Sequence, residues 1–269
     1  DFLGGMATRR AHVLAVLTVA NTVAGITAIA VAVMAAGHAS LAGLAWGTGA
    51  GLTGGLGLII FYLGLADGPM SVVAPLSGVV STVLPVAVAL AEGERPGAGV
   101  YVGALLCLVA VVLTSSAGHP REEDGPGRPG RGRAIAYGIG SGALFGLFFL
   151  LIRNAGQSGT FWPVAAGRIG ELATVLIATA VLRRDLLPRG TAGGPLLAAA
   201  GAGVIDVVAN ICYVAATRTG MFGLAVVLAS LYPGITVLMA RVVLGERLRW
   251  VQRAGLVLAG IGVLLVAGS

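Results

Sequence analysis

Three ionisable residues stand deep inside otherwise apolar stretches: Arg168 and Glu171 within 163–182, and Asp206 within 195–217. Each costs about 2.5–3.5 kcal/mol at the centre of a helix in hydrocarbon, so the three left unpaired would cost about 8–10 kcal/mol. Partners or water must therefore lie beside them. Arg168 and Glu171 are three residues apart and share a helical face, while Asp206, Asn210 and Tyr213 follow the i, i+4, i+7 stripe of one helix. One guanidinium against two carboxylates leaves a surplus acid. Asp206 or Glu171 is then suited to bind and release a proton or a cationic group, with Asn210 and Tyr213 orienting it. The plainer reading of the same residues is an arginine–carboxylate pair that fixes helix packing.

Prolines mark a second set. Pro75 and Pro85 fall in the apolar stretch 70–91, and Pro233 falls in 222–243. Each lacks an N–H and frees the carbonyl four residues back, at Ser71, Ser81 and Ala229, so helix breaks are expected there. Ser77, Ser81, Ser230 and Tyr232 lie near these breaks and offer hydroxyls to a bound solute; a kink satisfied by a neighbouring side chain is the alternative. Glu94 and Glu246 follow helix-ending glycines, where a solvated or capping role is expected. Asn21, Thr18 and Thr22 read as polar links between helices. No stretch interior holds a histidine, and neither His-Glu-x-x-His nor Gly-x-Ser-x-Gly occurs, so no metal site, cofactor or enzymatic nucleophile is expected. Cys107 and Cys212 both fall in apolar runs and read as small buried hydrophobes.

The elements that must position these residues follow from composition. Of 269 residues 57% are apolar and only 10% charged, with a mean hydropathy of +0.96. A water-soluble domain carries about 25% charged residues and leaves roughly a quarter of its chain surface exposed even at ~300 residues. The chain is therefore read as an all-helical integral membrane protein of the cell membrane. Nine stretches are long enough to span: 13–36, 40–66, 70–91, 97–117, 134–153, 163–182, 195–217, 222–243 and 248–268. The 17 basic residues are all arginines and sit mainly between these runs, the pattern of topology signals and not of a nucleic-acid face. Thr8-Arg9-Arg10 resembles an export signal, but the run behind it is too long for a signal core. Residues 118–133, GHPREEDGPGRPGRGR, read as a flexible polar linker.

Glycine makes up 44 residues, more than twice the ordinary share of about 7%. Runs such as Gly47-Thr48-Gly49-Ala50-Gly51 let helix backbones approach closely. They form no phosphate-binding loop, because no strand precedes them and the chain contains no lysine.

Shifting the sequence by 152 positions exposes a repeat. Gly68 then falls on Gly220, Leu76 on Leu228, Gly93-Glu94-Arg95 on Gly245-Glu246-Arg247, and Gly103 on Gly255. The same offset maps 13–36 and 40–66 onto 163–182 and 195–217, and leaves 134–153 without a mate. A ten-helix plan of two five-helix repeats is expected, with nine helices present and the first missing. The repeats comprise 1–117 and 134–269, joined by the linker. An odd number of helices per repeat makes the two halves inverted, a plan common among secondary transporters. Asp206 falls on Gly54 and Asn210 on Leu58, so a site built on them is asymmetric.

Two such halves resemble the drug/metabolite transporter superfamily in its EamA-type branch. The resemblance is carried by Gly64-Leu65-Ala66-Asp67-Gly68, Val73-Ala74-Pro75 and Leu84-Pro85 in the first half. In the second half Leu228-Ala229-Ser230-Leu231-Tyr232-Pro233, Thr236, and Leu244-Gly245-Glu246-Arg247-Leu248 on to Gln252 and Gly255 carry it. It implies a secondary carrier for a small metabolite or drug-like solute. The partners are then the lipid bilayer, the solute and a coupling proton, with no nucleic acid. An intramembrane enzyme acting on lipid or peptide, or a non-transporting subunit, are the alternatives.

Eleven loop arginines, from Arg9 and Arg10 through the linker to Arg247 and Arg249, lie on one side; Arg95, Arg153 and Arg218 lie on the other. Positive-inside counting places the linker in the cytoplasm. A cysteine introduced at Gly125, in a background lacking Cys107 and Cys212, should resist a membrane-impermeant maleimide applied to intact cells. Ready labelling there would reverse the orientation.

Overall fold

A run of about 20 apolar residues in hydrocarbon can satisfy its backbone N–H and C=O groups only within itself, and so folds as a helix. In the computed structural model of the chain, nine helices and no strand are found among the described residues. These helices are α1 Val13–Met34, α2 Leu41–Asp67, α3 Met70–Ala91, α4 Ala98–Ser116, α5 Arg131–Gly156, α6 Phe161–Val181, α7 Gly193–Arg218, α8 Phe222–Ala229 and α9 Trp250–Ala267. The structure describes residues 13–35, 37–67, 70–95, 97–116, 131–181, 193–218, 222–229 and 250–267, with 3, 7, 231, 235, 239, 242 and 243 besides. Within these, the side chains of 13, 65–67, 70, 71, 75, 114–116, 131, 266 and 267 are outside the description.

Most helices begin and end within about three residues of the stretches read from the sequence. α5 starts at Arg131, so residues 131–133, expected as linker, open a helix; 118–130 lie outside the described residues. The stretch expected over 222–243 is described as helix to Ala229, and most of the remainder lies outside the described residues. Six helices (α1, α2, α3, α5, α6 and α7) are long and apolar enough to cross a membrane, and α4 and α9 contain the shorter apolar segments Ala98–Leu113 and Trp250–Leu265. The chain is a multi-pass membrane protein.

Two of the three expected helix breaks, at Pro75 and Pro85, are corrected. α3 runs unbroken from Met70 to Ala91 through both Pro75 and Pro85. Each proline removes one backbone bond, and the bonds on either side carry the helix across. Cys212 is also corrected: it is exposed on α7, while Cys107 is buried. An apolar environment around a spanning helix removes the pressure to turn every small hydrophobe inward.

The helices form two compact units, Asp1–Leu56 with Phe148–Gly220, and Gly57–Leu147 with Met221–Ser269. In the first, α1 packs on α6 and α7. Ala24, Ala28 and Ala32 cluster with Ala165 and Val207, covered by Phe161, Trp162 and Ile211. The Trp162 indole N–H donates to the Gly37 carbonyl at 2.7 Å, so the end of α1 meets the start of α6 and the two run antiparallel. α2 meets α6 through backbone: a Cβ on Gly51 would run into the Gly167 carbonyl oxygen, and one on Gly170 would stand 2.6 Å from that of Thr48. Ser40 opens α2 by accepting a hydrogen bond from the Gly43 N–H at 3.0 Å.

In the second unit α9 packs on α4, and α3 on α4 and α8. A Cβ on Gly142 of α5 would come within 2.7 Å of the Ser77 carbonyl oxygen, so α3 and α5 also touch through backbone. Helices α2, α3 and α4 begin at 41, 70 and 98, while α7, α8 and α9 begin at 193, 222 and 250, each 152 residues on. Three of the helices pack on their own counterparts: α1 on α6, α3 on α8, and α4 on α9.

These close approaches make the glycines unequal. Gly51→Ala should lower the unfolding temperature in detergent, an overpacking cost of ~1–3 kcal/mol. Gly25→Ala in α1, where a Cβ meets nothing within 4 Å, should be neutral or stabilising by up to ~1 kcal/mol. Equal losses in the two variants would refute this account of the α2–α6 contact.

Candidate functional site

The first unit holds a charged cluster close to the middle of α6 and α7. α6 buries Pro163 to Arg168 and Gly170, because the α2 glycines let this face come against backbone. Arg168 sits on that face with its side chain 5% exposed. Its Nη1 forms an ion pair with Glu171 Oε2 at 2.7 Å, one turn along the same helix. The same nitrogen donates to Asp206 Oδ2 on α7. Asn210, one turn beyond Asp206, donates through Nδ2 to Asp206 Oδ1 at 3.3 Å and to the Asp206 carbonyl at 2.8 Å. Four of the residues expected to act together are thus joined, and one guanidinium nitrogen is the hub.

The two acids differ. The Glu171 side chain is 14% exposed and stands one turn from its cation on the same helix, so that pair forms wherever α7 lies. The Asp206 side chain is 49% exposed, stands on another helix and has a second donor in Asn210. Ionised, the three side chains sum to one negative charge; a proton on either acid makes the cluster neutral. Arg168 Nε is buried with no hydrogen-bond partner among the described residues, so the guanidinium is only partly used.

Tyr213 does not join. Its hydroxyl is buried with no hydrogen-bond partner among the described residues, and its ring packs on Phe149 at 5.1 Å between centroids. Thr18 and Thr22 donate to carbonyls of their own helix, at Leu14 and Thr18. Asn21 is buried on α1, next to Ala20, whose backbone lies under Gly203 of α7.

The serines belong to the second unit. Ser77 is buried and hydrogen-bonded to Ser141 of α5 at 3.0 Å, and Ser141 in turn donates to the Tyr137 carbonyl at 2.7 Å. Ser81 donates to the Gly78 carbonyl at 3.0 Å. Both hydroxyls are engaged within the protein. Ser141 is not among the residues that spacing and residue type single out; a lone serine inside an apolar run is the signal that points to it. Pro85 is buried in α3 beside Gly146 of α5, where a Cβ would stand 3.4 Å from its Cδ. Ser230, Tyr232 and Pro233 lie outside the described residues, as does the Pro75 side chain.

Comparison with known proteins gives a family and a fold. The profile of the EamA-like transporter family matches residues 132–268. A solved structure titled only "Crystal structure of protein" is similar, with a TM-score of 0.73 and 17% sequence identity, over 98% of this chain and 93% of that one. At that identity the likeness speaks to fold alone. No curated protein matches the chain.

The hub role of Arg168 has a measurable consequence. Arg168→Met leaves two carboxylates without their cation and should destabilise by ~3–5 kcal/mol. The triple variant Arg168→Met, Glu171→Leu, Asp206→Leu removes every charge together, and should recover most of the lost thermal stability. A triple variant as unstable as the single one would show that the ion pairs themselves hold α6 and α7 together.

Proposed function

The chain belongs to the EamA-like transporter family, within the drug/metabolite transporter superfamily, and from that premise we propose a proton-coupled secondary carrier. It moves a small metabolite or drug-like solute by alternating access in a bacterial cell membrane. Asp206 is the group that takes up and releases the coupling proton. Asn210 orients it, and Arg168 with Glu171 forms the fixed counter-charge. The observation that carries this reading is the unequal sharing of Arg168 Nη1: a closed acid on its own helix, and a half-exposed acid on another. The second contact depends on how α6 and α7 lie against each other, so a shift of one helix along the other parts it, while the first stays within α6.

Alternating access in this reading uses inverted repeats. Two observations support them. The end of α1 meets the start of its counterpart α6, and the end of α3 meets the start of α8, where a Cβ on Gly223 would lie 3.3 Å from that of Ala89. Counterparts that pack antiparallel are what inversion requires. The same reading makes the chain a carrier and not an enzyme.

Purified protein in liposomes with an imposed pH gradient, offered a panel of small metabolites and drug-like solutes, tests the proposal. At least one solute should accumulate with the gradient. Asp206→Asn should abolish that accumulation while leaving solute exchange at equal concentrations, since exchange need not release the proton. Undiminished gradient-driven uptake in Asp206→Asn would overturn the coupling role. Loss of both activities together with thermal stability would assign Asp206 to packing.

A further inference from the structure

Glu94 lies outside the charged cluster, in the turn that Gly93 makes after α3 with a φ of +96°. Its carboxylate spans the start of another helix. Oε1 accepts from the Phe222 N–H at 2.8 Å and Oε2 from the Gly223 N–H at 3.1 Å. These are the first two N–H groups of α8, which have no partner inside their own helix. A negative charge there also meets the positive end of the helix dipole. Ordinary caps come from the residue just before the helix. This one comes from 128 residues away, from the turn that ends the counterpart of α8.

Beneath the contact is an apolar crevice of about 30 Å³ between α3, α4 and α8, lined by Leu90, Tyr101, Leu224 and Val227 among others, with Glu94 at its edge. The start of α8 is therefore incompletely packed there. Gly223 contributes no side chain, and a Cβ on it would stand 3.3 Å from both Ala89 Cβ and Glu94 Oε2. Two charge-assisted hydrogen bonds fasten this helix end at its backbone, where the Phe222 ring is fully buried and Gly223 adds no side chain.

Resting on the carrier reading above, we propose that Glu94 is a positioning residue, a latch that closes the start of α8 over this crevice and releases it when the carrier changes access. Glu94 is then a functional element of the fold and not a solvated helix end.

The test uses the whole chain with Cys212→Ser and Leu224→Cys, keeping Cys107, which is fully buried in α4 of the same unit. Glu94→Gln should raise the rate at which N-ethylmaleimide alkylates the thiol introduced at position 224 about tenfold, equivalent to ~1.4 kcal/mol, with Cys107 unreactive. Glu94→Asp, which keeps the charge, should leave that rate within about threefold of its value with Glu94 in place. An unchanged rate in Glu94→Gln overturns the latch. So does parallel exposure of Cys107, which would make Glu94 a residue needed only for folding. A second arm combines Glu94→Cys with Leu224→Cys and joins the two introduced thiols with a short, reducible cross-linker. Solute exchange should stop and return on reduction, and exchange that continues through complete cross-linking overturns the gating role. The alkylation arm needs neither solute nor gradient, so failure of the carrier reading, seen as absent transport in the uncross-linked protein, is told apart from failure of the latch.

Discussion

A guanidinium held in the middle of a membrane-crossing helix has to be neutralised where it stands, because the hydrocarbon around it offers no water and no counter-ion. Arg168 meets that demand through one nitrogen, shared between Glu171 on its own helix and Asp206 on α7. The first contact is local and would form in any α6. The second requires α7 to lie alongside at a register that brings Asp206 level with Arg168, and so it constrains tertiary structure. Asn210 completes the arrangement from one turn beyond Asp206, where it holds the other carboxylate oxygen. With one guanidinium against two carboxylates, the group carries one more acid than base.

Bringing such a helix in requires room, and glycine supplies it. Lipid gives no hydrophobic drive for helices to associate, so contact area and close backbone approach have to hold them. Gly47, Gly51 and Gly55 of α2 are four residues apart and meet Pro163, Gly167 and Thr174 of α6 in the same order. That stripe runs beside Arg168 and leaves it wrapped by the protein. In the second unit the same device sets Gly142 against the Ser77 backbone, and there the serine hydroxyls serve each other. Close packing in this protein thus does two things: it buries the arginine, and it brings the Ser77 and Ser141 hydroxyls within hydrogen-bond reach of each other.

Helix ends pose the complementary problem. The first N–H groups of a helix need acceptors from outside it. At α8 the acceptors come from the carboxylate that follows its repeat counterpart. Antiparallel packing makes this possible, because it brings the end of one helix to the start of the other.

Much of this is legible in the residues alone. Apolar run lengths locate the helices, since backbone bonding in hydrocarbon is local and one run can be judged without its neighbours. The cost of buried charge singles out Arg168, Glu171 and Asp206, and helical spacing joins Arg168 to Glu171 and Asp206 to Asn210. Whether the two pairs meet cannot be read there, because α6 and α7 are separate helices whose register is set by packing. For the same reason Tyr213, on the right stripe by spacing, turns its ring to Phe149 and leaves the cluster. Pro75 and Pro85 suggest breaks because a proline removes a bond locally, yet α3 continues through both, its neighbouring bonds intact. Ser77 and Ser81 look free until their hydrogen-bond partners are placed. Residue order is enough for the helices and for the charge that must be neutralised. Packing settles the rest: which acid Arg168 holds across a helix boundary, how exposed that acid stays, and which distant helix Glu94 caps. Each of these depends on the distance between segments, and chain order does not specify that distance.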